Sequence, residues 1–307
     1  MIRTITRSIP ITCILFSILA CTVAIAQTPP GDGKLRIIVF GAHPDDNEFR
    51  NGGVAAMWAA QGHHVKFVST TNGDIGHYEI AGGPLARLRL KEIQDCAKIL
   101  GIDEATSLDI HDGEIMPTLE NRKIFARLIR DWQADIVISH RPYDYHPDHR
   151  YTGVLVQDAS FMVRVPFFTP DTPPTPNNPV FLYNSDRFQK PYPFQADIAV
   201  SIDAVFDQKM DALMAIPSQS LYLGAVGSAE RTAQFPKDEA GKRAFLVQRF
   251  GSRHAQESDR FRDVLIQYYG EAKGRAVQYA ETFEICEYGR QPTDEEIRQL
   301  FPFFPKP

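Results

Sequence analysis

Positive charge is in short supply in this chain. Its 307 residues carry 33 Lys and Arg against 38 Asp and Glu, a formal net charge of −5. Nucleic-acid binding rests on neutralising phosphates with an excess of Lys and Arg, so nucleic acid is excluded as the main partner. Cysteine is scarce as well: there are four, and Cys13 and Cys21 fall in an N-terminal apolar stretch. That leaves Cys96 and Cys286, too few and too far apart for a disulfide framework; two buried free thiols are at least as good a reading as a pair. There is no internal repeat and no heptad run. No GxGxxG or P-loop follows the first apolar strand, which removes the basis for a dinucleotide or kinase reading.

Apolar residues make up 43% of the chain, enough for a sizeable core in one large domain. The N-terminus has the build of an export signal. Arg3 and Arg7 precede the apolar run "ITCILFSILACTVAIA", and Ala24-Ile25-Ala26 gives a small-x-small cleavage pattern before Gln27. The apolar part is short for a membrane span, so no stable span is expected once it is removed. An uncleaved anchor and lipidation at Cys21, in "ILAC", are the alternatives. Cleavage after Ala26 would shift the net charge from −5 to −7, because two arginines and no acids leave.

From residue 35 onward strand-like and helix-like segments alternate. "LRIIVF" (35–40), "HVKFVSTT" (64–71), "TSLDI" (106–110) and "DIVISH" (135–140) read as strands, with helices at 52–62, 85–101 and 118–133 between them. Alternation of this kind predicts βαβ units, hence an α/β fold with a mostly parallel sheet flanked by helices. "VFLYN" and "ADIAVSID" add further strands, and the last seventy residues look helical and charged. The Pro-rich stretch within 164–179 is expected to be an irregular loop, a candidate for shaping specificity. The chain thus divides into a leader (1–26), a linker (27–34), one domain (35–290) and a C-terminal tail (291–307).

Two stretches concentrate ligand-grade side chains. "FGAHPDDNEF" (40–49) follows the first strand, and "YDYHPDH" (143–149) follows the fourth. In open parallel sheets, ligands bind beyond the carboxyl ends of the strands, where both stretches fall. His43 and Asp46, three apart, can converge on one ion, and His146 and His149 can face the same point. Imidazole and carboxylate suit zinc, which takes about three protein ligands in a catalytic site. The surplus of candidates leaves groups for acid–base work. Spacing alone does not say which Asp binds and which acts as base. His140 and Asp144 are candidates for supporting the ligands, and Tyr143 and Tyr145 for stacking on a sugar. His63, His64 and His254 carry no pattern and are expected at the surface.

The stretch "GAHPDDNEF…GG", followed by "TTNGDIGH", "RLRLKEI", "HDGEI" and "DYHPDHRYTG", resembles the PIG-L/LmbE superfamily of zinc-dependent N-deacetylases. Glu48 stands one place later than in the family's HPDDE form. The resemblance implies a Rossmann-like fold and removal of the N-acetyl group from an N-acetylglucosamine-type glycoside or glycan. It assigns His43, Asp46 and His149 as zinc ligands, a set that iron(II) also suits. It makes Asp45 the general base and His146 the group that stabilises or protonates the tetrahedral intermediate, with Asp148 orienting it. Arg89 and Asp112 match positions that contact the sugar. The rival readings are a metal-dependent amidase or esterase on a non-sugar substrate, and a non-catalytic sugar-binding protein.

Overall fold

The computed structural model describes residues 31–305; the leader, its cleavage site and Cys21 lie outside the described residues. The first half runs β1 (Arg36–Gly41), α1 (Asp46–Ala60), β2 (His64–Ser69), α2 (Gly83–Leu100), β3 (Glu104–Ser107), α3 (Leu119–Trp132), β4 (Ile136–Ser139) and α4 (Pro147–Met162). After β5 (Val180–Asn184) and β6 (Ile198–Ser201) come α5 (Phe206–Met214), α6 (Pro217–Ser220), α7 (Ala229–Thr232), α8 (Glu239–Leu246), α9 (Ser252–Arg260), α10 (Arg262–Tyr269) and α11 (Glu271–Ala276). The chain closes with β7 (Ala280–Gly289) and α12 (Asp294–Leu300). Among the described residues, no helix is long and apolar enough to cross a membrane.

The seven strands lie in the order β3-β2-β1-β4-β5-β7-β6. The first five are parallel, and β7 runs antiparallel to both β5 and β6. β1 leads outward to β2 and β3 on one side and borders β4 on the other. The strand order therefore reverses between β1 and β4, where a crevice opens beyond the strand ends. In register, Phe40 pairs with Ser139, so the loops that begin at Ala42 and His140 are neighbours.

Alternate residues face opposite layers, as the strand period of two demands. Ile37, Val39, Val65, Phe67, Ile136 and Ile138 pack with Val54, Trp58, Ile93 and Met210. Ile38, Phe40, Val68 and Val137 pack with Phe125, Ile129, Leu155 and Ala159 of α3 and α4. Phe125 stacks on Phe40 with ring centroids 4.9 Å apart; truncating such a buried ring to Ala costs about 3–5 kcal/mol. α4 comes close to the β4 end because residue 153 is glycine: a Cβ there would lie 2.7 Å from the His140 carbonyl oxygen. Cys96 and Cys286 are buried free thiols in different core layers, so they do not pair.

Four expectations change. α1 begins at Asp46, not at residue 52, so the HPDD stretch runs into the first helical turn. Acidic side chains suit that position, because a helix N-terminus carries partial positive charge. The last seventy residues are not all helical: β7 is a ten-residue strand, and Phe283 and Ile285 alternate with polar neighbours along it. The Pro-rich loop leads into Val180, which pairs with Ile136 at the start of β4, the end of the sheet opposite the crevice. It is held there by Arg130, whose guanidinium donates to the carbonyls of Met162, Val163, Val165, Thr169 and Thr172. It therefore does not line the crevice. Residues 291–305, set apart above as a tail, bring Leu300 and Phe301 into the core, and Trp58 Nε1 donates to the Leu300 carbonyl at 2.8 Å.

Candidate metal centre

The crevice between β1 and β4 gathers the two ligand-rich stretches. Asp46, at the start of α1, is fixed by its own turn: its Oδ2 accepts the backbone N–H groups of Ala42 and His43 at 3.1 and 2.9 Å. The same oxygen lies 3.4 Å from His43 Nδ1 and 3.4 Å from His149 Nε2. His43 Nδ1 and His149 Nε2 are 3.2 Å apart. Ligand atoms held about 2.0–2.1 Å from a tetrahedral ion stand about 3.3–3.4 Å from one another. The three atoms therefore form one face of a zinc-sized tetrahedron.

The far nitrogens of both rings face carboxylates. His43 Nε2 is 3.2 Å from Asp112 Oδ1 and 3.3 Å from Asp148 Oδ2. His149 Nδ1 is 3.1 Å from Asp144 Oδ1. A proton on each far nitrogen leaves the near nitrogen with its lone pair directed at the common point, the arrangement that orients metal-ligating histidines. Burial disfavours charge on His43, but Asp112, Asp148 and Asp46 outweigh it and hold its pKa well above the usual range. Asp46 is held well below the carboxylate range; burial opposes this, and His149 above all overcomes it. Among the described residues, of the five carboxylates here (Asp45, Asp46, Asp112, Asp144 and Asp148) only Asp45 and Asp112 lie within 4.0 Å of a guanidinium, that of Arg89. Such a concentration of buried negative charge fits a divalent cation.

His140 offers a rival ligand set with Asp46 and His149. Its Nε2, however, accepts the Ala42 N–H at 3.0 Å, so that lone pair is already engaged. Burial and the neighbouring His149 push its pKa down to about 4, leaving the ring neutral, and it stacks on His149 with centroids 4.2 Å apart. His140 is thus a wall of the site.

His146 caps α4. Its Nδ1 accepts the Asp148 N–H at 3.2 Å, so in the neutral ring the proton sits on Nε2. Burial, with His43 and His149, lowers its pKa and favours that neutral ring. Its ring stands edge-on to His43 at 4.6 Å. Asp45 lies beside Arg89, with Oδ2 3.4 Å from Nη2. Burial, against Arg89, raises its carboxyl pKa. Arg89 itself is 1% exposed and donates to the Gly73 carbonyl at 3.0 Å and the Pro44 carbonyl at 3.3 Å. Gly73, at φ +67°, must be glycine: a Cβ would stand 2.2 Å from the Arg89 Nη1.

Residues 38–160 match the profile of the PIG-L family, described as GlcNAc-PI de-N-acetylase. Over those residues this chain is similar to the PIG-L family. It is 32% identical over 158 residues to the diacetylchitobiose deacetylase of Thermococcus kodakarensis, covering 50% of this chain and 59% of that one. It is 26% identical over 172 residues to the 1D-myo-inositol 2-acetamido-2-deoxy-alpha-D-glucopyranoside deacetylase of Streptomyces griseus, covering 46% and 53%. In shape it matches the 4-carboxy-2-hydroxymuconate hydratase of Pseudomonas putida, with a TM-score of 0.63 and 21% identity over 85% of this chain and 99% of that one. The chain spans about half to three-fifths of the length of the first curated relatives it matches. The hydratase likeness shows the fold alone, and a shared fold does not fix the reaction.

The motif residues His43, Asp45, Asp46, His146, Asp148 and His149 all meet in one crevice, joined by Arg89 and Asp112. Two of them sit differently from the expectation. The Asp148 carboxylate turns to His43 and accepts the Gly113 N–H at 2.7 Å; only its backbone touches His146. Arg89 stands behind Asp45 with almost no surface open to a ligand. Sequence reading missed Glu48 as a buried group; burial above all pushes its pKa up to about 8. Gln219, in the stretch "PSQS" (217–220), donates to the Gly76 carbonyl at 3.1 Å.

Proposed function

We propose that this chain is a metal-dependent hydrolase that removes the N-acetyl group from an N-acetylglucosamine-type glycoside or glycan. His43, Asp46 and His149 would hold the ion, zinc by the donor set, with iron(II) as the other ion this set suits. The observation that carries the reading is the triangle of ligand atoms with edges of 3.2, 3.4 and 3.4 Å, backed by carboxylates. Both curated relatives described above are named as deacetylases of acetamido sugars.

Zinc bound there would acidify a water molecule and polarise the amide carbonyl. The chain's own groups supply the rest. Asp45, next to Asp46 and with a carboxylate oxygen within 4.8 Å of ligand atoms of His43 and Asp46, receives the proton of the attacking water; burial raises its proton affinity in the direction a general base needs. Arg89 fixes Asp45 in place. His146, protonated on Nε2, donates a hydrogen bond to the amide oxygen as negative charge develops on it. The proton held by Asp45 then passes to the departing amine, which leaves only once protonated. Asp112 and Asp148 keep His43 in its tautomer, and Asp144 does the same for His149. The leader-like residues 1–26 support export as the setting, and an extracellular glycan as the substrate.

The deciding experiment measures acetate release from N-acetylglucosamine glycosides by metal-stripped and zinc-restored protein, beside Asp45→Ala. Zinc-dependent release that Asp45→Ala abolishes is the expected result. Tight one-to-one zinc binding without release would move the reaction to another amide or ester. Absence of stoichiometric metal would overturn the reading.

A further inference from the structure

One turn along α1 from the candidate metal centre, three arginines share a cavity without an ion-pair partner among the described residues. A cavity of about 220 Å³ lies between the start of α1, the turn after β5, α9 and β7. Arg50, Arg187 and Arg253 line it, together with Phe49, Phe188 and His254. Arg50 donates to the Ser185 carbonyl at 2.5 Å, and Arg187 to the Gln256 amide oxygen at 2.7 Å. Arg253 lies 5.7 Å from the centre of the Phe250 ring. Among the described residues none of the three has a carboxylate partner, in a chain whose net charge is −5.

Two of the three acids of the same wall are paired with other cations, and the third, Glu257, is held by hydroxyls. Asp186 pairs with Arg141 at 3.0 Å, and Glu281 with Lys209 at 2.5 Å. Glu257 accepts the Ser185 and Thr282 hydroxyls at 2.6 and 2.8 Å. Arg187 and Arg253 keep exposed faces and Arg50 is half-buried; partial burial, then the charges of Arg50, Arg249 and Arg187, push the Arg253 pKa down to about 10 against the opposing charge of Glu257. These cations are crowded, and an anion among them would relieve the crowding.

His254 adds an independent observation. Expected at the surface, it is 3% exposed, because α9 packs onto β7. Its Nδ1 lies 3.1 Å from the Ala280 carbonyl, which can only accept, so Nδ1 carries the proton. Its Nε2 is then a bare acceptor, buried without a partner. Leaving such a group unpaired is costly, and a hydroxyl or amide of a ligand would satisfy it.

The cavity is within reach of the centre. Asp46 and Arg50 are four residues apart on one helix, hence neighbours on one face about 5–6 Å apart at Cβ. The Tyr145 ring stands 5.8 Å from the rings of both His146 and His149, and 6.2 Å from that of Phe188 on the cavity wall. A sugar lying over Tyr145 and Phe188 joins the two places.

We propose that this cavity is a subsite for an oxyanion, a carboxylate or a phosphate carried by the substrate sugar, so that acidic N-acetylglucosamine derivatives are preferred over neutral ones. Guanidinium forks match both anions in geometry and charge. The proposal rests on the deacetylase reading above for the sugar, and on the arginines for the acid.

Calorimetry at low salt tests it, with N-acetylglucosamine, its 1-phosphate, its 6-phosphate and N-acetylmuramic acid as the four ligands. At least one acidic sugar is expected to bind tenfold or more tightly than the neutral one, and the acid that wins tells phosphate from carboxylate. The preference should shrink at least fivefold in Arg253→Gln and in Arg187→Gln, recover in part in Arg253→Lys, and weaken as salt is raised. If one variant fails to fold, the other carries the test. No acidic sugar bound better than the neutral one would overturn the subsite, even if the protein releases acetate. A preference that survives both substitutions would overturn it as well. A preference lost on substitution, in a protein that releases no acetate, would keep the subsite and remove the deacetylase reading instead.

Discussion

Nδ1 of His43 and Nε2 of His149 face each other across 3.2 Å, and behind each ring a carboxylate holds the opposite nitrogen. Two imidazole lone pairs aimed at one another repel unless a proton or a cation lies between them. With Asp46 Oδ2 completing the triangle, the arrangement fits a cation. His43→Ala and His149→Ala are therefore expected to abolish stoichiometric zinc. Asp144→Asn, which removes the acceptor behind His149, should weaken zinc about 10–100-fold, as loss of such supports commonly does. His140→Ala should keep one-to-one zinc, because the His140 lone pair is engaged by Ala42. Titration against a competing chelator reads all four, and loss of zinc in His140→Ala would reassign the ligand set.

Asp45 and His146 are expected to act on the reaction without holding the ion. Asp45→Asn keeps the shape and the zinc but cannot take a proton, so kcat should fall about 10²–10⁴-fold, the usual worth of a positioned base. His146→Ala removes one donor to the developing oxyanion, and a loss of about 10²–10³-fold in kcat with a small change in KM is expected. Steady-state kinetics beside a zinc assay separates these effects. A KM rise at constant kcat in either variant would assign that residue to substrate binding instead.

Much of this was legible in the sequence, for identifiable reasons. Buried parallel strands such as Ile37–Phe40 are continuous apolar runs, and the HPD motifs follow two of them, so the crevice and its ligands could be placed from spacing. What spacing does not carry is the partner of a buried polar group. Asp148 sits three residues from Tyr151 and two from His146, yet its carboxylate turns to His43, 105 residues away. Arg89 looks like any polar helix residue until the Gly73 and Pro44 carbonyls close around it. β7 was hidden because Glu281, Glu284 and Glu287 break its apolar pattern, although Glu281 is buried against Lys209.

His64 gives a pH-dependent signature remote from the candidate metal centre. Its Nδ1 is 3.0 Å from Asp103 and its Nε2 2.9 Å from Asp32, so both nitrogens donate only when the ring is charged. These bonds, Asp103 first, raise its pKa above the ordinary value. A histidine whose folded pKa is raised adds stability that is complete below about pH 6.5, its unfolded value, and is lost as pH rises through the folded pKa. Proton NMR should find the His64 titration above 6.5, and Asp103→Asn should bring it down. A His64 pKa at or below 6.5 in the parent protein would contradict the geometry.

The pair of Lys209 and Glu281 joins α5 to β7 inside the core. Nζ and Oε1 are 2.5 Å apart, and both side chains are essentially without solvent contact. Glu281 also accepts the N–H groups of Gly53 and Val54 at 2.9 and 2.8 Å, and Lys209 donates to the Phe49 carbonyl at 2.9 Å. Lys209→Met leaves a carboxylate buried with two amide donors and no cation. The expected cost is about 3–5 kcal/mol in urea unfolding, the range for breaking one side of a buried ion pair. Adding Glu281→Gln keeps an acceptor for the helix and removes the charge. The double variant should then be more stable than Lys209→Met by about 1–3 kcal/mol, the coupling typical of contacting residues. Equal stabilities for the single and double variants would mean that water reaches Glu281 once Lys209 is gone.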